Sequence, residues 1–174
     1  MNNVRTSVPS AEQFSAPFLE VQNVSKSFRL ASTEISVLRG VSFQVDRGSW
    51  TTLLGAAGSG KTTLLDIIGS LSKPDAGSVR VGGRDVAALS GPALERFRRE
   101  TVGFVFQAYH ILPELNILEN VMLPAMLDGK SRRQCRPRAV ELLETVGLAD
   151  RMRHRANELS GGEQQRAAIA RALM

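Results

Sequence analysis

The stretch Gly55-Ala56-Ala57-Gly58-Ser59-Gly60-Lys61-Thr62 reads G-x-x-x-x-G-K-T, and its reading decides the fold. Upstream of it, Trp50-Thr51-Thr52-Leu53-Leu54 is aromatic, β-branched and apolar, the composition of a buried strand. Downstream, Leu64, Ile67, Ile68 and Leu71 recur at i, i+3, i+4 and i+7, the period of an amphipathic helix. Strand, glycine loop and helix in that order are the setting in which this motif, a P-loop, holds phosphate. Gly55, Gly58 and Gly60 admit backbone angles closed to other residues, so successive N–H groups can turn toward phosphate oxygens at the positive end of the helix dipole. Lys61 adds a full positive charge beside the β- and γ-phosphates, and Thr62 offers a hydroxyl to Mg²⁺. Outside that setting the same letters would be an ordinary glycine-rich turn; inside it they predict a nucleoside-triphosphate site.

The chain around this loop has 174 residues, enough for one domain, or one domain with a subdomain, and a sizeable core. Lys+Arg total 22 against 17 Asp+Glu, a net charge of +5. The arginines fall in scattered groups (Arg96, Arg98, Arg99; Arg132, Arg133, Arg136, Arg138; Arg151, Arg153, Arg155), and aromatic residues, 5% of the chain, are not interleaved with them. Such a distribution reads as solvated faces, and no nucleic-acid partner is expected, because a binding groove would want stacking residues. The single cysteine, Cys135, excludes an internal disulfide framework; in its arginine-rich surroundings it reads as an ordinary surface residue. His110 and His154 are far apart in the chain, with no second ligand near either, so no metal site of their own is expected. No run of 18 apolar residues occurs and no basic start leads into an apolar h-region, which argues for a cytosolic, reduced chain.

Residues 1–17 carry Asn, Thr, Ser, Pro and Gln without period and are expected to form a disordered leader. From Phe18 onward, Leu19 and Val21, then Val41, Phe43 and Val45, alternate with polar residues as half-buried strands do. After the P-loop helix, Lys73-Pro74-Asp75-Ala76-Gly77 breaks the chain, and Val79, Val81, Gly82-Gly83 and Val86 predict a hairpin on a tight glycine turn. Gly91 to Glu100 reads as a short charged helix, and Val102-Gly103-Phe104-Val105-Phe106 as a strand buried on both faces, ending at Gln107. Asn116 and Glu119 make a capping box for a helix that Pro124 must kink or end. Pro137 is expected to open a further helix with Ala139, Leu142, Leu143 and Val146 as its buried stripe and Gly147 as its cap.

A second constellation, Leu159-Ser160-Gly161-Gly162-Glu163-Gln164-Gln165-Arg166, runs into the alanine-rich Ala167 to Leu173. Serine and two glycines at a helix start expose N–H groups to an incoming anion. Alone, S-G-G is more often a loop before a helix, but about a hundred residues after a P-loop it is specific.

Taken together, these motifs resemble the nucleotide-binding subunit of ABC transporters: LSGGEQQR is similar to the family's signature sequence, Gly55–Thr62 to its Walker A, and Val105-Phe106-Gln107 to its Q-loop. The resemblance extends from Phe18 to Met174, and the segment Gln107 to Val121 most resembles ATPases of the lipoprotein-releasing and macrolide-exporter type. It implies an α/β P-loop NTPase fold: a RecA-like core with an N-terminal antiparallel β subdomain over 18–106, a Q-loop and α-helical subdomain over 107–162 ending in the signature, and a helix over 163–174 returning to the core.

The resemblance further implies ATP and Mg²⁺ as cofactors. Gly55, Gly58, Ser59, Gly60 and Lys61 would hold the β- and γ-phosphates, Thr62 would ligate Mg²⁺, and Thr63 would reach the α-phosphate side. Phe28 occupies the place of an aromatic that stacks on adenine, although on composition alone it is a core or hairpin residue. Gln107 would contact Mg²⁺ or the attacking water, acting with Lys61 in catalysis and linking the site to the transmembrane subunit. Ser160, Gly161 and Gly162 would bind the γ-phosphate held by a second nucleotide-binding subunit in a head-to-tail dimer. Partners would be that second subunit and transmembrane permease subunits, with the chain peripheral on the inner, cytoplasmic face of the membrane. Gln107 to Lys130, with Ile111, Leu112 and Leu115, is the segment expected to dock the permease, unless those residues serve only subdomain packing.

In the family, the helix after the signature leads to a strand ending in Asp and Glu, which hold Mg²⁺ through water and polarise the attacking water. This chain reaches Met174 before such residues, and neither Asp66 nor Asp128 substitutes for them. The expectation is therefore a fold incomplete at the C-terminus, truncated before Walker B, with little or no turnover by itself and an unpaired apolar sheet edge that makes it marginal. Two alternatives stand beside a transporter ATPase: a non-hydrolysing regulatory nucleotide-binding module, and a soluble ABC ATPase of DNA repair or translation. The latter would normally carry a second cassette or long insertions, and none is present.

Overall fold

The computed structural model describes residues 16–31 and 33–174. The expected leader over 1–17 lies outside the described residues except for its last two. The chain divides between Leu89 and Ser90 into two compact units.

The first unit is a four-stranded sheet carrying one helix. β1 (Leu19–Leu30) and β2 (Thr33–Val45) form a long antiparallel ribbon; helix α1 (Lys61–Ile68) follows; β3 (Ala76–Val81) returns antiparallel to β1, and β4 (Arg84–Asp85) closes the order β2-β1-β3-β4. Val21 faces Phe43 on one side and Val79 on the other. Strict alternation from Val21 would turn Asn23 inward, yet the next buried residue is Val24. A bulge resolves this: Asn23 takes a left-handed φ of 49°, its N–H bonds Ser42 Oγ at 2.8 Å, and Val24 is returned to the inner face. The bulge brings backbone so close to β3 that only glycine fits at 77, where a Cβ would stand 2.4 Å from the carbonyl oxygens of both Gln22 and Asn23. Val21, Val24, Val79 and Val81 then pack with Leu38, Leu64, Ile67 and Val86 as the core of this unit.

Asp75 explains why the Lys73–Gly77 break is structural. Its carboxylate accepts from Lys26 Nζ and from the Ser27 N–H, both at 2.7 Å, tying the break to β1. The Gly82-Gly83 turn forms as expected, with φ of 55° and 78° and Val81 opposite Arg84.

Two expectations fail here. Trp50–Leu54 belongs to no strand, and Trp50 and Leu54 are 94% and 89% exposed. A strand buried on both faces needs ladder partners on both edges, and among the described residues none pairs with this segment. Helix α1 also ends sooner than the periodicity suggests: it stops at Ile68, so that Leu71, the last residue of the stripe, lies outside it and is 42% exposed.

The second unit is helical. α2 (Gly91–Thr101) buries Phe97 completely. α3 (Ile117–Leu127), α4 (Arg132–Thr145) and α5 (Gly161–Ala172) share one core of Ile117, Val121, Ala139, Leu143, Leu148, Leu159, Ala167 and Ala170. The Asn116–Glu119 capping box is present, and α3 continues one turn past Pro124. Gly147, at φ 70°, caps α4: its N–H reaches Glu144 O at 3.0 Å and the Leu148 N–H reaches Leu143 O at 2.8 Å, the two bonds of a Schellman end.

Three expectations are corrected in this unit. Pro137 does not open α4; Ser131 does, through a capping box with Gln134, and Pro137 lies inside the helix. The earlier start places Cys135 four residues before Ala139 and seven before Leu142, on the buried face, and Cys135 is 1% exposed rather than a surface residue. Val102–Phe106 forms no strand, and Val105 and Phe106 are 45% and 37% exposed, again without ladder partners among the described residues.

Candidate nucleotide-binding site

In the first unit, Gly55 to Thr63 form a loop that closes onto the start of α1. Gly58 and Gly60 have φ of 78° and 87°. Gly60 is the residue preceding α1 and sits against β2: a Cβ there would meet Leu38 Cδ2 at 2.8 Å, Val37 Cγ1 at 2.9 Å and Val37 O at 3.1 Å. Both its angle and its neighbours therefore require glycine. Lys61 Nζ donates to Gly55 O at 2.8 Å, Ala56 O at 2.6 Å and Ser59 Oγ at 3.3 Å, which fixes the ammonium within the loop.

No side chain caps the first N–H groups of α1, and its first turn holds no acidic residue. Free N–H groups, the positive helix end and a central ammonium fit the phosphates of a nucleotide. Thr62 is exposed in that first turn and Thr63 is half-buried. The Thr62 hydroxyl oxygen would serve as one ligand to a Mg²⁺ shared with phosphate oxygens, and Asp66 lies one turn further along the same helix. Phe28 lies on β1, 46% exposed, with Lys26 Nζ over its ring, 5.6 Å from the centre.

The other predicted residues belong to the second unit. Gln107 is exposed in a turn after the 102–106 segment. Phe104 and Phe106 stack with centroids 5.5 Å apart, Phe106 meets His110 edge-on at 5.0 Å, and the Tyr109 N–H bonds Phe106 O at 3.0 Å, so the chain folds back around Gln107. Ser160 caps α5, with Gly161 and Gly162 exposed in its first turn. The Ser160 hydroxyl donates to Glu163 Oε2 at 2.7 Å, and the same carboxylate accepts the Ser160 N–H at 2.8 Å and Arg151 Nε at 2.9 Å. These donors, the hydroxyl first, hold the Glu163 carboxyl at about 2, against an ordinary 4.5. Nothing lies within 4 Å of a Cβ placed on Gly161, so an anion can approach the helix end there.

The structure thus gathers the loop residues Gly55 to Thr63 in one unit; Gln107 and Ser160–Gly162 both belong to the other but are not brought together there. Of the expected docking residues, Leu112 is exposed at 40%, whereas Ile111 and Leu115 are half-buried and Ile111 packs on the helical core.

Sequence reasoning missed two residues. Asn120, fully buried, uses its whole amide: Nδ2 donates to Leu112 O, Leu115 O and Asn116 O at 3.0, 3.2 and 3.0 Å, and Oδ1 accepts the Leu112 N–H at 2.8 Å. An uncharged polar residue in the otherwise apolar α3, next to the capping Glu119, was the available signal. Arg171, inside an alanine-rich helix, donates to Tyr109 O and His110 O, each at 2.6 Å, and nothing in its local sequence indicates those partners. Among the described residues no cluster of three metal-binding side chains occurs, and no helix is long and apolar enough to cross a membrane.

Comparison with known proteins gives the loop and the signature a common setting. Residues 38–174 match the family model described as ABC transporter. The "Lipoprotein-releasing system ATP-binding protein LolD" of Geobacter metallireducens is 50% identical over 156 residues, covering 90% of this chain and 69% of that protein. The "Macrolide export ATP-binding/permease protein MacB" of Burkholderia thailandensis is 47% identical over 158 residues, covering 91% of this chain but 24% of that larger protein. Among solved structures, a dimeric post-hydrolysis state of the ATP-binding cassette MJ0796, bound to ADP and Pi, superposes with a TM-score of 0.83 at 38% identity, covering 89% of this chain and 68% of that one.

Proposed function

The chain belongs to the ABC transporter family as an ATP-binding cassette with a P-loop NTPase fold, and from that premise we propose that it binds Mg²⁺–ATP between two cassettes to drive export or lipoprotein release through a separate permease. The observation that carries this reading is the pairing of the Gly55–Thr63 cradle with a glycine-opened, serine-capped α5 in one chain. The cradle can hold a nucleotide; the open helix end can meet the γ-phosphate held by a second subunit in a head-to-tail dimer. A dimeric form of the similar MJ0796 cassette supports that pairing.

Within this reading each residue has a distinct duty. The amides of Gly58, Ser59 and Gly60 orient the phosphates, and the Lys61 ammonium exchanges its loop carbonyls for β- and γ-phosphate oxygens. Thr63 reaches the α-phosphate side, and Phe28 stacks on adenine. Thr62 and Gln107 would hold Mg²⁺, whose charge offsets that building on the phosphates. Gln107 also orients water, and Ser160, Gly161 and Gly162 stabilise the γ-phosphate across the dimer. The exposed Leu112, on a segment pinned by Asn120, offers an apolar point on the permease-facing surface, with the chain peripheral on the inner face of the membrane.

Gly161→Asp tests the reading. The site is open to a side chain, and an acid in a first helical turn is compatible with folding, so the variant should fold and bind ATP. Its carboxylate would repel the partner's γ-phosphate, and ATP-dependent dimerisation, read by light scattering, should be lost. A wild-type chain that stays monomeric with Mg²⁺–ATP at saturation, or a variant that dimerises equally well, would contradict the proposal.

A further inference from the structure

We propose that Arg171 is a positioning residue that sets the place of Gln107 by locking the backbone turn just after it. Tyr109 and His110 both adopt left-handed conformations, φ 56° and 47°, without being glycine. Two successive residues in that region are disfavoured and persist only where surroundings hold them. Successive residues of the same hand direct their carbonyls to one side, and there one planar guanidinium meets both: Arg171 Nη1 to His110 O and Nη2 to Tyr109 O, each 2.6 Å.

The fork is placed on the far end of the signature helix. Ser160 caps the N-terminus of α5 and Arg171 lies in its last turn. One residue further along, Ala172 approaches the segment on the other side of Gln107, since a Cβ on Gly103 would lie 2.5 Å from Ala172 O. Gln107 is therefore bracketed, before and after, by contacts to the last turn of α5. No carboxylate pairs with Arg171 among the described residues, and burial pushes its guanidinium below the ordinary value, so the two carbonyls are its neutral ligands. A rigid helix that meets a phosphate at one end and grips the Gln107 turn at the other links the two elements mechanically. The link to phosphate rests on the function proposed above; the grip does not.

Two measurements on the full chain separate these parts. In nucleotide-free hydrogen exchange, Arg171→Met should speed exchange of the 107–110 amides by about tenfold, while α3 and α4 keep their protection. Arg171→Lys, which keeps the charge but not the fork, should fall between, and it carries the test if Arg171→Met does not fold. Unchanged 107–110 exchange, or equal acceleration throughout the helical unit, would overturn the grip. In Mg²⁺ titrations of ATP binding, Arg171→Met and Gln107→Ala should each weaken the Mg²⁺ response, with no further loss in the double variant. Additive losses would overturn the claim that Arg171 acts through Gln107. Absence of ATP binding by the wild type would instead refute the nucleotide reading and leave the exchange result standing.

Discussion

Gly58 and Gly60 share a left-handed backbone, yet only one of them is also enclosed. A methyl at 58 meets nothing within 4 Å, whereas at 60 it meets Val37 and Leu38, including the Val37 carbonyl. Gly58→Ala should therefore cost only the conformational term, about 1–2 kcal/mol. Gly60→Ala should cost more than that, displace the start of α1 from β2 and weaken nucleotide binding further. Thermal melts of the two variants check the order, and equal losses would show that the Val37–Leu38 contact is unimportant. At this scale the sequence was most legible, because P-loop chemistry resides in residue types at fixed spacing. Arg171 was illegible for the opposite reason: its partners are backbone carbonyls more than sixty residues away, selected by a turn that no motif encodes.

For α3, α4 and α5, capping boxes decided where the helix begins. The Asn116–Glu119 box was readable, and the same logic applied to Ser131–Gln134 would have begun α4 at Arg132, five residues before Pro137. Because that box sets the register, the Cys135 thiol is enclosed with Ala139 and Leu143, and it should react with a thiol reagent only through opening of the helical unit. Native-state labelling with a chromogenic disulfide is expected to be at least about tenfold slower than in denaturant. Rapid labelling would place Cys135 at the surface and refute the α4 register.

At α5, Glu163 has a folded value of about 2 against 4.5 unfolded, a depressed carboxylate. Its stabilisation is complete above pH 4.5 and is lost as pH falls from there toward 2. Glu163→Gln should remove that part of the acid sensitivity, so the variant's stability falls less steeply below pH 4.5 in denaturant titrations. An unchanged slope would deny the Ser160–Glu163–Arg151 cluster its role. Glu119, lowered by the Asn116 N–H and then by Arg132, adds acid sensitivity of the same sign in both proteins and cancels in the comparison.

At the scale of the whole molecule, the antiparallel strands were legible from alternation, because β1, β2 and β3 each find their neighbours within one unit. Trp50–Leu54 and Val102–Phe106 carry equally strong apolar composition and form no strand. Composition reports that a segment suits burial in a sheet; only pairing makes it a strand, and pairing is a property of the partners. The family was legible even so, since the loop and the signature are runs of residue types at fixed spacing, which local sequence specifies.

The central claim is that Gly55 to Thr63 bind nucleotide through Lys61. Equilibrium titration of the chain with a fluorescent ATP analogue, with and without Mg²⁺, tests it most directly, alongside Lys61→Ala. The account predicts saturable binding strengthened by Mg²⁺, displaced by unlabelled ATP, and weakened roughly 10- to 100-fold in Lys61→Ala, the loss of one charge-assisted hydrogen-bond set. No saturable binding by the wild type, or equal affinity in Lys61→Ala, would contradict it.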